Sequence, residues 1–215
     1  MPADGSDSPL ELRRGIVGPW KVNAYVLVCP RTAQSILVDP GSEPEVLGKM
    51  LAGTHPVAIL ITHSHPDHIG ALPTLRSGLG VPVMAHAGSE DEPSPVKADR
   101  WIQGGDTFEV GDHRIRIIHT PGHTADQVCI QPGNDHRILV GDTIFDGGPG
   151  RTLSGRAFQT TLKTLERIIL SWPDETICHP GHGDAFQLGL RRKAIEAFLE
   201  KDHGDFFGDA EWVPS

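Results

Sequence analysis

The chain has 215 residues, enough to bury a full core without disulfide staples, and a formal net charge of −9, which repels a phosphate backbone and excludes nucleic acid as a partner. Its 38% hydrophobic and 22% charged content is that of a globular protein, and no apolar run reaches membrane-spanning length, which excludes a membrane partner. Cys29, Cys129 and Cys178 are widely spaced, odd in number and form no C-x-x-C pair, so they read as reduced core residues of a cytoplasmic protein.

Residues 1–11 are polar and acidic at their start, lack the basic and apolar regions of a signal peptide, and read as a flexible tail. Residues 12–203 read as one domain and residues 204–215 as a second tail. Leu12 to Val17, Val22 to Val28 and Ser35 to Val38 alternate or run apolar between turn signals, predicting an antiparallel meander. Glu43 to Ala52, after Asp39-Pro40-Gly41-Ser42, has an acidic first turn and one apolar face, which predicts a helix.

Val57 to Ile61 is apolar throughout, the mark of a strand buried on both faces. Directly after it comes Thr62-His63-Ser64-His65-Pro66-Asp67-His68, with Pro66 opening a helix that Gly78 or Gly80 closes. Val81 to Ala85 is a further strand, and Gly88 to Arg100, rich in Pro and Glu and without apolar period, reads as a surface loop. Thr107 to Val110, Arg114 to His119, Gln127 to Gln131 and Arg137 to Val140 form a second meander, its last turn at Pro132-Gly133-Asn134-Asp135. Leu162, Leu165, Ile168, Ile169 and Trp172 define a helix face. Glu175 to Cys178 is a last strand, and Leu188 to Lys201 a final helix with Leu190, Ala194, Ala197 and Phe198 inward. Helices on both outer faces of strand layers are the simplest arrangement of these elements.

Histidines at i and i+2 leaving a strand project to one side, and an Asp-His pair follows at once. Two later strands end on similar turns, Thr120-Pro121-Gly122-His123 and His179-Pro180-Gly181-His182, and a third loop, Gly141-Asp142-Thr143, delivers a carboxylate. The candidates are therefore His63, His65, Asp67, His68, His123, Asp142 and His182. An all-nitrogen-and-oxygen set suits zinc, manganese or iron and argues against a purely structural zinc knot. Seven ligands exceed one tetrahedral shell but fit two ions about 3.5–4 Å apart.

With His63-Ser64-His65-Pro66-Asp67-His68, Thr120-Pro121-Gly122-His123, Gly141-Asp142-Thr143 and Pro180-Gly181-His182 in this order, the chain resembles the metallo-β-lactamase superfamily over roughly residues 20 to 200. The resemblance implies an α+β, four-layer αββα sandwich with metals at one edge of two sheets. It also implies that His63, His65 and His123 hold a first ion, that Asp67, His68 and His182 hold a second, and that Asp142 bridges them. Two divalent cations, zinc in the first instance, would share a hydroxide that attacks a thioester or ester; Asp67 and Asp142 are the catalytic carboxylates.

Within the superfamily, Ile118 to Thr124 and Gly141 to Phe145 followed by Gly147-Gly148-Pro149-Gly150-Arg151-Thr152 look like the glyoxalase II (hydroxyacylglutathione hydrolase) branch. That branch binds glutathione through an added helical domain and tyrosines, whereas Tyr25 is the one tyrosine here, which favours a different or smaller acyl group. Arg151 and Arg156 offer forks for a substrate carboxylate, with solvated surface arginines as the plainer alternative. Two other functions fit the same residues. One is a persulfide dioxygenase with a single iron on His63, His123 and Asp142; the other is a scaffold that binds metal without turnover. His119 and His179 are either orienting partners of neighbouring ligands or packed core residues.

Overall fold

The computed structural model describes residues 8–133 and 135–212; residues 1–7 and 213–215 of the two expected tails, and Asn134 of the expected turn, lie outside the described residues. Two six-stranded sheets are packed face to face with helices on their outer sides, the four-layer αββα sandwich. In the first sheet β1 (Glu11–Val17), β2 (Val22–Val28) and β3 (Gln34–Val38) form the antiparallel meander. Next to it, β4 (His55–Leu60), β5 (Val83–His86) and β6 (Arg100–Ile102) run parallel. The crossovers that parallel pairing demands are α1 (Pro44–Met50) and the pair α2 (Pro66–Ile69) and α3 (Leu72–Leu79).

The second sheet runs β7 (Thr107–Val110), β8 (His113–His119), β9 (Val128–Pro132), β10 (Arg137–Gly141), β11 (Ile177–Pro180) and β12 (Phe186–Gln187) in order. Only β10 and β11 are parallel, joined through α4 (Gly155–Arg167) and a 3-10 turn at Ile169–Ser171. After β12 comes another 3-10 turn, Leu188–Leu190, and then α5 (Arg192–Leu199).

Alternating residues of each inner strand serve different layers. Tyr25, Leu27, Ile36, Val38 and Leu60 face Ile115, Ile117, Val128, Ile130 and Leu139 between the sheets. Val26, Leu37, Ile59 and Ile61 pack outward on Leu47 of α1 and Leu75 of α3, while Cys129, Ile138 and Val140 pack on Phe158 and Leu165 of α4 and Ile195 and Phe198 of α5. This double burial is why β4 carries no polar alternation.

Several elements differ from the sequence expectation. The helix expected from Pro66 onward is two helices, because Pro73 lacks a donor and is tolerated only in a first turn, here that of α3. The loop after β5 ends in β6, a three-residue edge strand too short to show a period. The last helix begins at Arg192, which turns Leu190 and Ala197 outward and puts Ile195 and Phe198 inward. Neither expected tail is loose throughout: Leu10 is buried in the inter-sheet core, Glu11 opens β1, and Trp212 is buried against α4 and α5.

Candidate metal centre

The ends of β3, β4, β8, β10 and β11 converge on one edge of the sandwich, the place where parallel strands leave their carboxyl ends open. Cross-links between the sheets fix this edge. Val128 donates its N–H to the Thr62 carbonyl and Asn23 to Gly181, while Gly181 donates to Gly141 of the neighbouring strand end in its own sheet. The Tyr25 hydroxyl and the Asn23 amide both donate to the Pro180 carbonyl, so the one tyrosine is a buried clamp on the end of β11.

Every one of the seven expected ligands is in this cluster. His63 Nε2 and His65 Nδ1 are 3.2 Å apart, and His123 Nε2 is 3.0 Å from the same His65 nitrogen. On the other side His68 Nε2 and His182 Nε2 are 3.3 Å apart, and Asp67 Oδ2 is 3.3 Å from His182 and 3.9 Å from His68. Asp142 reaches both groups. Its Oδ2 is 3.6 Å from His123 Nε2 and 3.5 Å from His182 Nε2, and its Oδ1 is 3.5 Å from His68 Nε2. Donor atoms about 2.0–2.1 Å from a tetrahedral ion stand roughly 3.3–3.4 Å apart, so both groups are spaced as ligand sets. Asp142 Oδ1 is also buried with no hydrogen-bond partner, a costly state for a carboxylate that a cation relieves. The residues fit divalent metal.

The other ring nitrogens show how the rings are held. His123 Nδ1 donates to the Arg151 carbonyl at 2.7 Å and His182 Nδ1 to the Trp20 carbonyl at 2.9 Å. His68 Nδ1 donates to Asp39 Oδ2 at 3.0 Å. Thr62 gives its hydroxyl proton to Asp39 Oδ2 and so accepts from His63 Nδ1 at 3.1 Å. Carbonyl and carboxylate oxygens can only accept, and the Thr62 hydroxyl has given its proton away, so these partners set a hydrogen on Nδ1 and turn Nε2 toward the cluster, where its lone pair is open when the ring is neutral. His65 is the exception, turning Nδ1 inward.

Asp39 was not among the expected site residues. It follows β3 at a positive φ of 51°, an uncommon backbone state that aspartate tolerates better than most residues. There its carboxylate accepts Thr62 N–H at 2.7 Å, the Thr62 hydroxyl at 2.6 Å and His68. A carboxylate immediately after an apolar strand was the available signal. The carbonyls of Trp20 and Arg151 left no signal, since any residue supplies one.

The two halves differ in charge. Burial, reinforced by the neighbouring imidazoles, pushes His63 well below its usual pKa, and burial also lowers His123. Burial opposes protonation of His68 too, but the hydrogen bond to Asp39 and the charges of Asp142 and Asp67 overcome it and raise His68 to about 9. Asp67 is held at about 2, chiefly by its hydrogen bond to His182.

The remaining candidates lie apart. His119 donates to the Ala125 carbonyl and stacks on His86 at 4.0 Å, and His179 packs edge-on against Tyr25. Arg151 is exposed and paired with Asp209, whereas Arg156, in the first turn of α4, pairs with Asp91 across a cleft of about 500 Å3. A second cleft of about 250 Å3, walled by Val17, Pro19, Trp20 and Pro66, reaches Asp67. Cys29, Cys129 and Cys178 are free and buried, and burial raises the Cys129 thiol to about 11. Among the described residues no helix is long and apolar enough to cross a membrane.

An αββα sandwich whose strand ends gather five histidines and two aspartates into two facing groups that could each hold a metal ion defines a class of proteins. The chain belongs to the metallo-β-lactamase superfamily, whose family model matches residues 17–183. It is 32% identical over 193 residues to a probable metallo-hydrolase, YqgX, of Bacillus subtilis, covering 81% of this chain and 90% of that one. It is 33% identical over 173 residues to a probable hydroxyacylglutathione hydrolase of Schizosaccharomyces pombe, covering 77% of this chain and 65% of the relative. Among solved structures, TTHA1623 in a di-iron-bound form superposes with a TM-score of 0.72 at 30% identity, covering 84% of this chain and 97% of that one.

Proposed function

We propose that the protein is a dinuclear metallo-hydrolase of the glyoxalase II-like branch that cleaves a thioester or ester of a small acyl group. The observation that carries this reading is Asp142, a buried carboxylate with an unpartnered oxygen standing between two complete ligand sets. His63, His65 and His123 would hold one divalent ion, Asp67, His68 and His182 the other, and Asp142 both. Zinc is the first expectation, with iron or manganese compatible with the same donors. When bound, the ions supply an acidified water as nucleophile and charge stabilisation for the carbonyl oxygen.

The chain's own residues do the rest. The Nδ1 partners of His63, His68, His123 and His182 keep four lone pairs aimed inward at little further entropic cost. Asp67, held near pKa 2, stays ionised throughout the working range and is placed to orient a water by accepting its hydrogen bond. The apolar wall of Trp20, Val17 and Pro66 gives one arm of a substrate a dry surface beside the reacting centre, and the larger cleft presents Arg156 for a carboxylate on the other. The relative named hydroxyacylglutathione hydrolase supports a thioester substrate.

Elemental analysis of protein purified without added metal, run beside assays on S-lactoylglutathione, simpler thioesters and a glutathione persulfide, tests the proposal. Two ions per chain with thioester turnover, both lost together in Asp142→Ala, is the expected result. One iron per chain with oxygen uptake on persulfide would replace the hydrolase by the dioxygenase, and metal-loaded protein inert to all of them would leave a binding scaffold.

A further inference from the structure

The segment after α5 folds back across the loop that follows Asp142. Trp212 N–H donates to the Gly147 carbonyl at 3.0 Å and its indole N–H to the Asp146 carbonyl at 2.9 Å. Thr152 N–H donates to the Gly208 carbonyl at 3.1 Å, and Gly208 N–H returns to the Thr152 hydroxyl at 3.4 Å. Asp146 is further clasped by Arg191, whose Nε and Nη2 donate to its two oxygens at 2.7 and 2.9 Å. Arg151 lies between these anchor points, and its carbonyl accepts His123 Nδ1.

The fit is close. A Cβ on Gly148 would come within 2.1 Å of the Ala210 carbonyl oxygen, and one on Gly150 within 2.0 Å of the Asp142 carbonyl oxygen and 3.0 Å of the His123 side chain. At Gly148 the loop is therefore pressed against the strap, and at Gly150 against Asp142 and His123. Trp212, only 4% exposed, is the strap's anchor in the core of α4 and α5.

We infer that residues 205–212 form a positioning strap for the metal centre, with Trp212 its key residue: it fixes the Arg151 carbonyl, and through it the ring of His123. The inference rests on the ligand reading of His123 given above. It assigns Trp212 no contact with substrate or metal. Among the histidine Nδ1 supports its hydrogen bonds reach that of His123 alone, because the partners of His68, His63 and His182 are Asp39, Thr62 and Trp20, none of which the strap's hydrogen bonds reach.

The test compares wild type, Trp212→Ala and Trp212→Phe as full chains. In metal-free protein labelled at histidine nitrogen, the Nδ1–H resonances of His123 and His68 report the two halves separately. Trp212→Ala should lose or broaden the His123 signal and leave that of His68. Zinc competition against a chelator should then show one binding step weakened about 10- to 100-fold, the usual effect of removing an outer support of a ligand, and the other weakened less. Trp212→Phe, which keeps an aromatic ring in the core and removes the indole donor, keeps the comparison usable if the alanine variant does not fold; it should move the same His123 signal by less. Unchanged His123 signals, or His123 and His68 shifting alike in the folded variant, overturn the inference. Wild-type protein that takes up no zinc while the metal-free signals respond as expected would remove the metal reading and leave the positioning role standing.

Discussion

Replacing Asp39 by asparagine changes one atom of a residue that touches no expected ligand position except through His68. The carboxylate accepts three hydrogen bonds, from Thr62 N–H, the Thr62 hydroxyl and His68 Nδ1. An asparagine carbonyl can keep the first, which puts its NH2 where Oδ2 stood, facing His68 Nδ1–H; turned over, it faces Thr62 N–H instead, and either way a buried donor meets a donor. The relief open to the first arrangement is for His68 to move its hydrogen to Nε2, 3.3 Å from His182 Nε2 and 3.5 Å from Asp142 Oδ1. That blocks the lone pair the second ion needs. Losing charge-assisted hydrogen bonds at a buried site costs about 1–3 kcal/mol of stability. The second ion should bind about 10- to 100-fold more weakly, equal to about 1.4–2.8 kcal/mol. A zinc titration of metal-free Asp39→Asn against a chelator, with nitrogen spectra of His68, reads both effects. Two ions bound with wild-type affinity, or a hydrogen still on His68 Nδ1, would refute the reasoning.

Further outcomes follow from the same geometry. A Cβ at Gly181 would stand 2.1 Å from Asp142 Oδ1 and 2.6 Å from His68 Cε1, so Gly181→Ala should fold at a cost of about 1–3 kcal/mol and bind metal poorly, checked by denaturation beside metal content. His68, raised to about 9 from an ordinary 6.5, stabilises the metal-free protein fully below about pH 6.5 and loses that contribution as pH rises through about 9. His63, held low, contributes above pH 6.5 and loses its part as pH falls. Thermal denaturation of metal-free protein should therefore decline on both sides, and the affinity of the second ion should climb with pH to about 9 as His68 gives up its proton, more steeply than that of the first. For a thioester bearing a carboxylate, Arg156→Ala should raise KM with kcat little changed, whereas Arg151→Ala should be nearly neutral, because Arg151 serves the centre through its backbone carbonyl; steady-state kinetics distinguish the two.

Much of the fold was legible because its determinants are local. Val57 to Ile61 announces a doubly buried strand, and β1 to β4 and β7 to β10 fall within a residue or two of their expected places. What the pattern missed was set by phase and neighbours: Pro73 dividing α2 from α3, the short β6 with a partner only in space, and the start of α5 at Arg192, which decides that Leu190 faces solvent.

The centre divides in the same way. By itself the sequence determined which side chains to expect at the centre, because metal chemistry requires particular side chains and the strand ends offer them in recognisable runs: His63, His65, Asp67 and His68 together, then His123, Asp142 and His182. Only the tertiary structure decided where their protons sit. His182 is oriented by a carbonyl 162 residues away, His123 by one 28 residues on, and His68 by Asp39, 29 residues before it. A backbone carbonyl carries no mark of residue type, and which one meets a given imidazole is fixed by how the sheets and the strap pack.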